Sequence, residues 1–285
     1  MAATYSPSSE DTYNQWLFSK EDLLNTPSEN AQYYSTPPDG KQSTPAACEP
    51  NWRTRGCTFI HNVVKRLDLH QIVASTACVF FHRFYMRQSV ANNHQYQVAG
   101  ACVLLATKVE EHKRSLKEVA KACAAQALKG DTSKFADVYE KWQRILKRME
   151  ISVLENCCFD LDIVHPYVFI DTLAMDFGIP VFVARSATAH VNDTMRSTIC
   201  LLYRPQVVAV AALYFAMSVR GYGYRGGNLL EARNIDISLS AQHEVEACLL
   251  DILDFYNQES EAEKEAFRRT PQRHTARTTP REAAR

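Results

Sequence analysis

Lys108, Glu110 and Glu111 stand at the exit of a helical stretch that is apolar nearly all round for three turns and runs from Gln97 to Glu111. Charges of both signs at the mouth of a buried rod suit recognition of another molecule better than bond chemistry. From spacing alone, Lys108 and the distant Glu150 read more readily as solvated side chains at helix ends. The other reactive residues lack the spacing that catalysis or metal binding demands. The nine cysteines (Cys48, Cys57, Cys78, Cys102, Cys123, Cys157, Cys158, Cys200, Cys248) are odd in number and include no CxxC. They read as reduced core thiols rather than a disulfide or zinc framework. The nine histidines form no HExxH and no Cys/His cluster with ligand spacing, so neither a metal nor a cofactor is expected. Gly221-Tyr222-Gly223-Tyr224-Arg225-Gly226 matches GxGxxG by letter. It follows a helical pattern, where a dinucleotide loop would follow a strand, and reads as a turn. No nucleophile–base or paired-carboxylate arrangement survives the same scrutiny.

Helices must hold those mouth residues in place. Ala99, Gly100, Ala101, Cys102 and Ala106 are small, so neighbouring helices can approach the central run closely, and a helix apolar on every side belongs in the middle of a helical domain. Ahead of it, Trp52 to Leu67 carries Phe59, Ile60, Val63 and Val64, and Leu69 to Ser89 carries a stripe from Ile72 to Tyr85 at three- and four-residue spacing. Behind it, Ser115 with Glu118 fits a capping box, Gly130-Asp131 breaks the pattern, and Tyr139 to Cys158 sets Trp142, Leu146, Met149 and Val153 on one side. After Phe159-Asp160-Leu161 and His165-Pro166 the pattern begins again, with helices expected over 168–177, 181–202, 205–219 and 242–256. Val98 to Ala106 lies residue for residue over Val208 to Ala216, so one helical unit is used twice. Lys108 then falls on Ser218. No segment shows sustained strand alternation, and the expected fold class is all-α.

At 285 residues with a formal charge of +0, the chain holds one large or two ordinary domains and has no net charge to draw it to nucleic acid or membrane. The spacing predicts a mostly disordered acidic arm over 1–50, one helical unit over 51–161, a second over 162–258, and a basic tail over 259–285. Within the arm, Trp16, Leu17 and Phe18 precede Ser19, a candidate N-cap, so a short docking helix is expected near 16–25. The longest apolar run, Val207 to Val219, is too short to span a bilayer, and a soluble intracellular protein is expected. Six prolines follow Ser or Thr, all outside the two units; Thr270 and Thr279 are the candidate phosphorylation sites, on equal footing with the view that Thr and Pro simply abound in such arms.

Several pieces in order resemble the cyclin family, and within it the transcriptional cyclins of the K and T type: His82-Arg83-Phe84-Tyr85-Met86, Leu105-Ala106-Thr107-Lys108-Val109-Glu110-Glu111, Arg148-Met149-Glu150, Phe159-Asp160-Leu161 and His165-Pro166-Tyr167. Trp16-Leu17-Phe18 resembles the aromatic lead-in of those cyclins. The resemblance covers residues 14 to 258. It implies two tandem cyclin boxes of about five helices each, a short N-terminal helix, no catalysis, nuclear localisation, and activation of a cyclin-dependent kinase that phosphorylates the repetitive tail of RNA polymerase II. By resemblance, Lys108 and Glu150 form the polar pair that holds the kinase just before its αC helix. Leu105, Val109, Leu154, Phe159 and Leu161 match the apolar walls of that groove, with Glu111 at its flank. Further subunits of such a kinase complex fit the same picture; a membrane partner and sequence-specific DNA do not. Two alternatives remain at this stage. A general transcription factor of the IIB type would want a zinc ribbon and basic repeats, and a cell-cycle cyclin would want an arginine-headed destruction motif ahead of Arg53, the first arginine. Asp68, the Val63-Val64 pair and Cys102-Val103 depart from the K-type pattern and leave the subfamily open.

Overall fold

The computed structural model describes residues 15–28, 45–128, 133–222 and 241–269. Among them every regular element is an α-helix: α1 (Lys20–Leu24), α2 (Pro45–Arg66), α3 (Gln71–Phe84), α4 (Gln95–Val109), α5 (Leu116–Leu128), α6 (Phe135–Asn156), α7 (Pro166–Asp176), α8 (Val181–Thr194), α9 (Ile199–Leu202), α10 (Pro205–Val219) and α11 (Ala241–Arg269). The all-α expectation holds.

Two helices organise the rest. Helix α4 is buried without interruption from Val98 to Thr107, and α2, α3, α5 and α6 pack around it. Gly100 is what lets α6 come so close: a β-carbon there would sit 2.9 Å from Trp142 Cζ3 and 3.3 Å from Leu146 Cδ2. Helix α10, the sequence counterpart of α4, is buried from Val207 to Leu213 and is surrounded in turn by α7, α8 and α11.

Local chemistry fixes the helix starts. Ser19 and Asp22 close a full capping box at α1, and Ser115 and Glu118 exchange the same bonds before α5 (Glu118 N to Ser115 Oγ, 3.2 Å; Ser115 N to Glu118 Oε2, 2.8 Å). Histidine takes the cap twice: His70 accepts from the Ile72 amide before α3 and His94 from the Tyr96 amide before α4. Pro166 and Pro205 open α7 and α10, where a missing N–H costs nothing. Asp68, a departure noted in the sequence, closes the α2–α3 turn at φ +50°, a conformation that Asp tolerates better than most residues.

Two boundaries differ from expectation. Helix α2 begins at Pro45, inside the stretch read as a mostly disordered arm, and carries Pro50 within it. The extra turns are held by Glu49, whose carboxylate is buried and takes Arg53 Nε at 2.7 Å and Thr26 Oγ1 at 2.8 Å. Residues 15–28, where a short docking helix was expected, lie against the body: Trp16, Thr26 and Ser28 are buried, and Phe18 N donates to Leu201 O at 2.8 Å. Helix α11 runs to Arg269, past the expected end at 258, and Glu259 on that extension pairs with Arg196. Thr270, Thr279 and most of the tail arginines lie outside the described residues.

The two helical units meet along α3. Ser75 Oγ lies 2.7 Å from Tyr167 OH, Thr76 Oγ1 donates to Glu110 Oε1 at 2.5 Å and lies 2.7 Å from His165 Nε2, and His82 Nε2 sits 3.1 Å from Met195 O.

Candidate kinase-binding site

Helices α4 and α6 lie against each other, and their neighbouring ends bring Lys108 and Glu150 together. Lys108 Nζ donates to Glu150 Oε1 across 42 residues of sequence. The pair is not the buried one that a groove interior suggests: the Lys108 side chain is 52% exposed and that of Glu150 17%. In the free chain it lies open to water, where such a pair contributes about 0–1 kcal/mol. Leu105 is buried, while Val109, Leu154 and Leu161 are half-buried and pack on the same core. Glu111 is exposed, at φ +56° one residue past the cap of α4.

Phe159, matched above to a wall of the groove, is the most exposed of these apolar residues, at 66%. The reason is the backbone. Cys158 and Phe159 adopt φ +54° and +56°, so the chain reverses at the end of α6 and swings the ring outward. The turn is tied by Phe159 N to Leu154 O at 2.9 Å and Asp160 N to Cys157 O at 2.9 Å.

Three residues at this site were not singled out from sequence. Ile151, 58% exposed, follows Glu150 on α6, and its signal was an apolar letter off the buried stripe. Asp160 gathers donors: Trp16 Nε1 at 2.7 Å, Gln15 Nε2 at 2.9 Å, and the Arg83 guanidinium, 3.3 Å from its carbonyl and 3.8 Å from its carboxylate. Arg83 also lies 4.6 Å over the Trp16 ring, a cation–π contact.

Among the described residues the buried thiols divide: burial raises Cys57, but its contact with Cys78 and with His82, 3.4 Å away, outweighs that and holds it below the ordinary thiol range. Burial pushes the thiols of Cys157 and Cys200 up to about 12 and raises Cys123 and Cys248 further, away from the thiolate that nucleophilic cysteines need. No group of three metal-capable side chains occurs among the described residues, and no described helix is long and apolar enough to cross a membrane.

The model of the cyclin N-terminal domain matches residues 22–162, and the chain belongs to the cyclin family. Its relatives include cyclins named K and T1. It is 37% identical over 215 residues to Cyclin pch1 of Schizosaccharomyces pombe, covering 74% of this chain and 59% of that one. It is 33% identical over 207 residues to Cyclin-T1-2 of Oryza sativa subsp. japonica, covering 70% of this chain and 31% of the relative. Cyclin-K of Homo sapiens is 31% identical over 207 residues, 70% of this chain and 33% of the relative. The chain thus spans between about a third and three fifths of the length of these relatives. Among solved structures, a chain of the yeast RNA Pol II CTD kinase CTDK-1 complex superposes with a TM-score of 0.68 at 16% identity, over 84% of this chain and 72% of the other. One from the yeast TFIIK (Kin28/Ccl1/Tfb3) complex superposes at 0.61 and 18%, over 87% and 100%. At such identities the likeness is one of fold.

Proposed function

We propose that this chain is the regulatory cyclin subunit of a cyclin-dependent kinase that phosphorylates the C-terminal repeats of RNA polymerase II, and that it promotes transcription elongation in the nucleus without catalysing a reaction itself. The observation that carries this reading is the Lys108–Glu150 pair, which joins α4 and α6, the helices that also carry the half-buried Val109 and Leu154 and the exposed Ile151. The kinship with the K and T cyclins and the fold shared with CTD-kinase subunits support it. The two boxes are placed at 51–161 and 162–258, and the kinase site at Leu105, Lys108, Val109, Glu111, Glu150, Leu154, Phe159 and Leu161.

The mechanism is differential binding. A kinase is competent only when the glutamate of its αC helix pairs with the strand lysine that positions the phosphates of ATP. A cyclin that binds only the αC-in arrangement shifts the population towards it. The apolar walls suit one face of a helix. The Lys108–Glu150 pair meets backbone and polar groups just before that helix, and is desolvated only once the partner covers it. Truncating either member then costs about 2–5 kcal/mol of binding, although the free chain barely depends on the pair.

The test is co-expression with CTD-kinase-class catalytic subunits and phosphorylation of a polymerase-tail peptide. Wild-type chain is expected to bind and activate, while Lys108→Ala and Glu150→Ala fold but do neither. Full activation by both variants would overturn the site, and failure of the wild-type chain to bind any such subunit would overturn the function.

A further inference from the structure

We propose that Trp16, just ahead of the matched cyclin domain in sequence, is a positioning residue that holds the turn 157–160 in the form that displays Phe159 to the kinase. The proposal rests on the kinase-binding reading of Phe159 given above.

Two consecutive residues with β-carbons at positive φ, Cys158 and Phe159, occupy a backbone region that sterics disfavour, and such a conformation persists only where its surroundings fix it. The exposed Phe159 ring does not hold itself in place. The next residue does. The Asp160 carboxylate accepts from Trp16 Nε1 at 2.7 Å and from Gln15 Nε2 at 2.9 Å. Arg83, on α3, donates to the Asp160 carbonyl at 3.3 Å. The indole is 3% exposed and lies beneath two guanidiniums, Arg83 at 4.6 Å and Arg87 at 5.6 Å. Its N–H can therefore reach only a narrow range of positions, and Asp160 fills it. A hydrogen bond to a carboxylate is among the stronger kind. The same strand of chain is anchored at its other side, through the Phe18 amide to Leu201 and Lys20 to Asp251. The aromatic lead-in thus links the second repeat to the partner-facing turn of the first.

The test uses the full chain and Trp16→Phe, which keeps a ring under the guanidiniums and removes the N–H. Hydrogen exchange is expected to quicken about tenfold at the amides of 158–160 and to stay unchanged at Val98 to Leu105 in α4. Gln15→Ala, which deletes one exposed donor, should give the same local pattern at smaller amplitude and serves if Trp16→Phe folds poorly. Exchange that is unchanged, or faster throughout the chain as global destabilisation would make it, overturns the proposal. The second arm is a double-mutant cycle on affinity for the catalytic subunit found above. Trp16→Phe should weaken binding about fivefold when Phe159 is present and not at all in Phe159→Ala; additive losses overturn the proposal. Failure of the underlying function is read separately, as no binding of the wild-type chain to any catalytic subunit, and failure of the site as equal binding by Lys108→Ala, Glu150→Ala and wild type.

Discussion

At the scale of single residues, the site keeps strain where it presents itself to a partner. Phe159 contributes little to the core, since two thirds of it faces water, yet its φ of +56° is one that glycine adopts freely and phenylalanine does not. Replacing it with glycine removes that penalty and deletes an exposed ring. Phe159→Gly is therefore expected to leave the free chain as stable as wild type or more stable by about 1 kcal/mol, measured by urea unfolding, while weakening kinase binding at least tenfold. A loss of stability would mean that the ring contributes to folding after all. Lys108→Ala makes the complementary case. Its pair is half in water, so the melting temperature should move by no more than about 2–4 °C, and its effect should appear on binding alone.

At the scale of helices, close approach decides stability, and glycine marks where it occurs. A β-carbon on Gly56 of α2 would fall 2.1 Å from Phe81 Cζ, and Phe81 is fully buried on α3 with no room to turn aside. On Gly100 the nearest atom is 2.9 Å away. Alanine gains about 1 kcal/mol of helix propensity over glycine at either site, against about 1–3 kcal/mol for overpacking. Gly56→Ala is thus expected to lower the melting temperature by several degrees, and Gly100→Ala by less. Equal losses would mean that the α2–α3 contact is softer than it looks. Helices of this kind were readable in advance: the unbroken apolar run of α4, its echo in α10, and the Ser19 and Ser115 caps all follow from short-range pattern. What escaped depends on contacts between distant residues. Pro50 looked like a helix boundary because the buried Glu49–Arg53–Thr26 cluster joins parts of the chain that spacing cannot pair. Trp16 and Asp160 are 144 positions apart, and the outward turn of Phe159 rests on a positive φ that letters do not carry.

At the scale of the whole molecule, what matters is how the two repeats are held, since one carries the Lys108–Glu150 pair and the other supports the N-terminal segment that reaches Asp160. Their seam is polar. His165 is buried between them with Nε2 at 2.7 Å from Thr76 Oγ1, which in turn bonds Glu110, the cap of α4 two residues past Lys108. Burial, aided by the positive charge of Arg83, lowers the imidazole from its ordinary 6.5 to about 4. The native seam thus holds His165 neutral, whereas the unfolded chain protonates it near 6.5. Between those values the unfolded state binds more protons, so stability falls as pH falls. The contribution is complete above about pH 6.5 and is lost towards pH 4, with about 2 kcal/mol gone by pH 5. His61, His94 and His190 are lowered by burial in the same direction and should deepen the trend. Urea unfolding of wild type at pH 7, 6 and 5 should therefore show a steady loss, and His165→Gln, which keeps a polar group towards Thr76 but cannot titrate, should flatten the slope while lowering stability at pH 7. A wild-type curve level across this window, or one that His165→Gln leaves just as steep, would mean that the seam is wet enough to accept the proton. The Thr76–Glu110 contact would then place no pH limit on how the repeats are set.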